Sequence, residues 1–314
     1  MTRIDDSIPT ATAHTEAQGY YDLAIRARCS RLRAMAGLAA MAATWVAGTL
    51  VVGAVSLAVF GFGASSDEAT ASPSLFDDMT DSPGFFIVMM ANVICAFLPA
   101  GIVGGCIVTR RSPLRLWSVR GPFRVRLFLA STGIAAVTAV VLSAVTTAVS
   151  GTLPSAPVLT AQSSMLVLAV LLMVPVQSLG EEIFLRGALV QALTVLLPHG
   201  TVKRRRGAII CSSVIGALLF ALLHGPSSIP HLVMYAVGAL ALYVMTAWLA
   251  GVEGSTGAHT AMNIVLFVPM VLEMEFAAVL SWQMVVQVAA FDVLAATAIG
   301  LLCRRWRGGR MGVG

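Results

Sequence analysis

The chain has 314 residues, 58% of them hydrophobic and only 11% charged, with a formal net charge of +5. A soluble domain of this length carries roughly a quarter charged residues, so the composition excludes a water-soluble fold and indicates a polytopic membrane protein. The positive balance reads as membrane topology and not as a nucleic-acid footprint.

The first nineteen residues are polar and mixed in charge, which fits a disordered tail and not a cleaved signal peptide. Residues 20–33 hold Tyr20, Tyr21, Arg26, Arg28, Arg31 and Arg33. They read as ordinary topology-setting charge, with a basic interfacial helix as the alternative. Residues 1–33 are therefore a cytoplasmic tail, 34–303 a transmembrane domain and 304–314 a second cytoplasmic tail. A spanning helix needs roughly twenty apolar residues, and eight such runs occur, near 34–62, 84–108, 127–150, 163–197, 207–227, 230–250, 258–279 and 284–303.

The basic residues outside the spans fall at the N-terminus, in 110–126, in 203–206 and in 304–310. The 64–83 connection carries Asp67, Glu68, Asp77, Asp78 and Asp81 without Lys or Arg. The positive-inside rule then places every basic segment and both termini in the cytoplasm, which an even number of spans satisfies. The fourth run is too long for one simple span, reaching roughly 52 Å as a continuous helix. Pro175 and Gly180 are expected to kink it, with the second half sliding along the cytoplasmic interface. The five cysteines, Cys29, Cys95, Cys106, Cys211 and Cys303, form no C-x-x-C and read as small buried hydrophobes.

Within the fourth run lie Glu181, Glu182 and Arg186, three charges where lipid tolerates few. Glu182 and Arg186 are four apart, in the order that favours pairing on a helix. Glu181 points about 100° away. One carboxylate is thus neutralised and structural, and the other stays free to act as a general base. The plain alternative is a Glu–Arg pair that only joins two helices. Two further elements follow: Phe220-Ala221-Leu222-Leu223-His224, and His259-Thr260-Ala261-Met262-Asn263, whose His259 and Asn263 share a helical face. Each is weak alone, since a lone intramembrane histidine more often bonds two helices. Together they put two carboxylates, two histidines and an amide on three of the predicted segments.

In this order and hydrophobic context the motifs resemble the CAAX protease and bacteriocin-processing family of intramembrane endopeptidases, also called Abi. The resemblance covers roughly residues 165–270, with no departure at the motif positions. It implies an all-helical fold of about eight spans and a glutamate-dependent peptidase. In that family Glu181 would activate water, His224 would hold or polarise it, and His259 and Asn263 would stabilise the oxyanion. Glu182 and Arg186 would be support. Such chemistry suits amide hydrolysis, which needs a base for water, donors for the oxyanion and an acid for the leaving amine.

Zinc held by Glu181, His224 and His259 is the alternative mechanism. The metal-free scheme is preferred, because H-E-x-x-H is absent and no two histidines are four apart. Ser255 lacks the context of a serine protease motif. Asp292 is a solitary intramembrane aspartate that either pairs with a polar neighbour or marks a watery cavity.

Depth presents a tension. Glu181 lies 16 residues before the end of its run and His224 17 after the start of the next, so both sit at similar depth. His259 begins its run near the cytoplasmic side. The expectation is that the sixth span stops short and that the glycine-rich loop Gly251–Gly257 is recessed in a protein-lined cavity.

The expected partners are the bilayer and a hydrophobic or lipid-anchored peptide, with no nucleic acid. One lysine against nineteen arginines, with abundant Ala, Gly and Val, points to a high-GC bacterial genome and a bacterial plasma membrane. A prenylated substrate is not expected there. A non-catalytic immunity or scaffold protein on the same fold is the alternative function. A proton-relaying transporter is weakened by the lack of inverted repeats.

Overall fold

A computed structural model describes residues 19–60, 83–119, 121–150, 155–272 and 282–309. The expected N-terminal tail, most of the acidic 64–83 connection and the side chains of the basic group at 304–310 lie outside the described residues. The protein is an all-α, multi-pass bundle. Its long helices are α1 (Arg31–Phe60), α2 (Pro83–Thr109), α3 (Val125–Ser150), α4 (Ala161–Leu196), α5 (Val202–Leu223), α6 (Ile229–Leu249), α7 (Glu253–Val271) and α8 (Trp282–Gly309). Seven of these are long and apolar enough to cross a membrane; α7 is not among them. Large apolar side chains such as Leu50 of α1, Val141 of α3, Leu172 of α4 and Val293 of α8 point outward, as expected for lipid-facing surfaces. Of the cysteines only Cys303 is buried. Cys95 and Cys211 are exposed, so they belong to the outward surface and not to the core that the sequence suggested.

Helix α4 departs from the expected kink. It begins at a capping box, in which Thr160 and Ser163 exchange side-chain to backbone bonds. Pro175 lies inside an unbroken helix, and the change comes later, where Glu182–Leu189 is wound as a π-helix. Such segments recur at functional sites. Nor does the second half slide along an interface: Ala188, Val190, Ala192 and Val195 are fully or almost fully buried. Helix α2 reaches this segment because Gly101 lacks a side chain. A Cβ there would lie 2.7 Å from the Phe184 backbone nitrogen.

The three described basic segments meet at one end of the bundle. Tyr20–Asp22 and Leu23–Arg26 form short helical turns whose tyrosines are buried. Burial pushes the phenols of Tyr20 and Tyr21 up from their ordinary range, so both remain donors. Tyr20 donates to the Leu116 carbonyl at 2.6 Å and Tyr21 to the Tyr243 carbonyl at 3.2 Å. Asp22 reaches Arg205 of α5 at 3.6 Å. The segment is thus packed against the bundle and is more than topology-setting charge.

The recessed loop takes a form the sequence did not suggest. Helix α6 runs its full length to Leu249 and closes on Ala250 in the left-handed region, at φ 54°. Helix α7 then starts at Glu253, so the glycine-rich stretch is its first turns, and residues 251–261 are all buried. Glu182 lies fourteen residues before the end of α4 and His259 six after the start of α7, about 21 Å and about 9 Å of helix. Since the two side chains touch (below), α7 begins roughly 12 Å deeper than α4 ends.

The 110–124 connection covers that sunken start. The Val252 amide donates to the Trp117 carbonyl at 2.9 Å. Arg124 grips the buried Glu253 carboxylate through Nε at 3.0 Å and Nη2 at 2.7 Å. Glu253 in the first turn also complements the helix dipole.

Small residues let α7 pack tightly on α3, the usual device of membrane helix interfaces. A Cβ at Gly257 would lie 2.5 Å from the Phe128 carbonyl oxygen, whereas one at Gly133 of α3 would meet nothing within 4 Å. Gly257→Ala is therefore expected to destabilise the protein by about 1–3 kcal/mol through overpacking. Gly133→Ala should be neutral or stabilising by up to about 1 kcal/mol. Thermal unfolding in detergent checks both, and equal Tm values for the two variants would contradict the close approach.

Candidate active site

The π-wound segment of α4 and the sunken start of α7 bring the two acidic residues against His259. Glu182 and Arg186 are fully buried and pair at 3.1 Å, as the spacing predicted. The same Glu182 oxygen lies 3.1 Å from His259 Nδ1. A carboxylate paired with arginine is an acceptor only, so His259 carries its Nδ1 proton and donates it to Glu182. Its other nitrogen, Nε2, faces Glu181 Oε2 at 3.7 Å. That separation is too long for a direct hydrogen bond, and Glu181 Oε2 is buried with no hydrogen-bond partner among the described residues. The tension over depth is therefore resolved: His259 stands beside Glu181.

Arg186 is the most heavily enclosed charge in the site. Its guanidinium lies over the Phe220 ring at 4.9 Å and the Tyr243 ring at 4.7 Å. Among the described residues none of its N–H groups has an aligned hydrogen-bond partner, and the ion pair and the two aromatic faces hold it. A cation–π contact contributes about 0.5–2 kcal/mol, more when dry. Phe220 therefore has a definite task within its motif, and Tyr243 is a residue that motif reading misses. Tyr21 stacks beside Tyr243 at 6.3 Å and joins the N-terminal segment to the floor of the site.

His224 ends α5. Its Nδ1 lies 2.8 Å from the Phe220 carbonyl. A carbonyl only accepts, so the proton is on Nδ1 and the neutral ring offers Nε2 as an acceptor. The ring packs between Phe220, at 4.2 Å, and Tyr235, at 4.5 Å. It lies within electrostatic range of both Glu181 and His259.

Asn263 sits on α7 one turn after His259. It reaches Glu181 through Gln177. Asn263 Nδ2 donates to Gln177 Oε1 at 3.1 Å, and Gln177 Nε2 donates to Glu181 Oε1. Gln177 lies four residues before Glu181 on α4, a spacing that could have singled it out. All six predicted residues thus fall in one cluster, linked in the order Arg186, Glu182, His259, Glu181, Gln177 and Asn263, with His224 alongside.

Among the described residues no three His, Cys, Asp or Glu side chains are arranged to hold a metal ion. Ser255 is buried, accepts from Thr246 at 2.8 Å and donates to the Val252 carbonyl at 2.9 Å. The same side chain is also a hydrogen-bonding neighbour of the Glu182 carboxylate. Asp292 is buried in α8 against Gly238 of α6, and its Oδ2 has no hydrogen-bond partner among the described residues.

Residues 163–265 match a family model described as type II CAAX prenyl endopeptidase Rce1-like. This is the CAAX protease family that the motifs indicated, and the match spans all three of them. Searches of the curated proteins and of the solved structures each found no match. The likeness to that family is confined to this segment.

Removing one partner of a buried pair strands the other charge. Arg186→Met should cost about 3–5 kcal/mol, and adding Glu182→Gln should restore most of it. Chemical unfolding in detergent micelles measures this, and a double variant as weak as the single one would contradict the coupling.

Proposed function

We propose that this protein is an intramembrane endopeptidase that hydrolyses a peptide bond in a hydrophobic or lipid-anchored peptide, using water activated by Glu181. The observation that carries this reading is the free, buried Glu181 Oε2 facing His259 Nε2 at 3.7 Å. One water oxygen can bridge such a gap.

The steps follow from the donors and acceptors. Water gives a proton to Glu181 as its oxygen bonds to the peptide carbonyl carbon. His224, whose Nε2 is an acceptor, orients the water. The developing oxyanion is met by the second N–H of Asn263 and, when it is protonated, by His259 Nε2–H. The C–N bond then breaks as the proton on Glu181 passes to the leaving amine, giving a new carboxyl and a new amino terminus.

The metal-free scheme uses only these side chains. Bilayer depth also limits the substrate to peptides that enter or lie against the membrane.

The test compares membrane peptides from cells carrying wild-type protein or Glu181→Gln, followed by cleavage of the peptide so found with purified protein in liposomes. Wild-type protein should generate a product that Glu181→Gln does not. Asn263→Ala should lower kcat by about 10²–10³-fold, and activity should survive exhaustive chelation. Full activity in Glu181→Gln, His224→Ala and His259→Ala alike would overturn the mechanism.

A further inference from the structure

We infer that Gln177 is a positioning residue that locks the water-activating carboxylate of α4 to the oxyanion-binding amide of α7. This rests on the endopeptidase reading above and adds a residue that none of the three motifs contains. Gln177 is only 4% exposed. Its Nε2 donates to Glu181 Oε1, while its Oε1 accepts from Asn263 Nδ2 at 3.1 Å and from Ser178 Oγ at 3.4 Å.

An amide has a donor end and an acceptor end, and an ionised carboxylate accepts only. The donor end of Gln177 must therefore face Glu181, and its oxygen must face Asn263. That orientation in turn forces the Asn263 amide to present its NH₂ toward Gln177. One Asn263 N–H is consumed in the bond and the other is left for substrate. Two consequences follow at Glu181. Oε1 is occupied, so Oε2, the atom opposite His259, is the one that meets water. The carboxylate is also held on its helix by a bond to its own preceding turn.

No other common side chain satisfies both ends. Glutamate would still accept from Asn263 but would place a second carboxylate against Glu181. Methionine has similar length and fills the space but makes neither bond. Misplacement of catalytic groups by even an ångström can cost about 10²-fold in rate.

The experiment uses full-length protein in liposomes with the peptide found above, and compares Gln177→Met and Gln177→Glu with wild type and Glu181→Gln. Gln177→Met should lower kcat by about 10–100-fold with KM within about twofold, because the groups it releases act in the transition state. Gln177→Glu should move the acid limb of the pH–rate profile upward by about one unit or more, since repulsion disfavours ionised Glu181. A merely structural glutamine would not move that limb. Should Gln177→Met fail to fold, the pH profile of Gln177→Glu decides alone.

If Glu181→Gln is inactive while Gln177→Glu keeps the wild-type pH profile, the positioning role is wrong and the peptidase reading stands. If Gln177→Met folds and keeps wild-type kcat, the positioning role is likewise overturned. If wild-type protein cleaves nothing, both fall together.

Discussion

The site depends on the buried carboxylate of Glu182. Glu182 neutralises Arg186 on one side and accepts the Nδ1 proton of His259 on the other, with all three side chains dry. Without Arg186, Glu182 would be an unpaired charge at membrane depth, and without Glu182 the imidazole would lose the partner that fixes its tautomer. Arg186 is in turn enclosed by the faces of Phe220 and Tyr243. The result is a rigid base on which a second carboxylate, Glu181, keeps one oxygen free.

That arrangement requires α7 to begin deep inside the bundle, which normally leaves the first amides of a helix unsatisfied in an apolar setting. The connection between α2 and α3 supplies the remedy. Trp117 gives its carbonyl to Val252, and Arg124 neutralises Glu253. Glycines at 254 and 257 then let α7 lie against α3 and neighbouring side chains closely enough to bring His259 under α4. The N-terminal tyrosines close the floor from below. Elements without any motif residue therefore hold the motif residues in place.

Much of this was legible in the sequence, for reasons that are local. A Glu–Arg pair four residues apart, in an otherwise apolar run, announces both its pairing and its importance, and the three motifs together point to one chemistry. What escaped was long-range or ambiguous. The bond between Glu182 and His259 joins residues 77 apart, which no helical spacing can reveal. Gly251–Gly257 reads as a loop because glycine weakens helices, yet here the missing side chains permit close packing of a buried helix. Pro175 reads as a kink but is absorbed within α4, and the irregularity appears instead as π-winding from Glu182. Tyr243 carries no local signal, because its role is set by where Arg186 arrives in space.

The central claim is that this framework leaves Glu181 Oε2 free to activate a water molecule. Single-turnover cleavage in ¹⁸O-labelled water, with the new carboxyl terminus analysed by mass spectrometry, tests it most directly. One solvent ¹⁸O in that carboxyl group is the predicted result. An unlabelled product would place a protein oxygen in the bond-forming step and contradict the account.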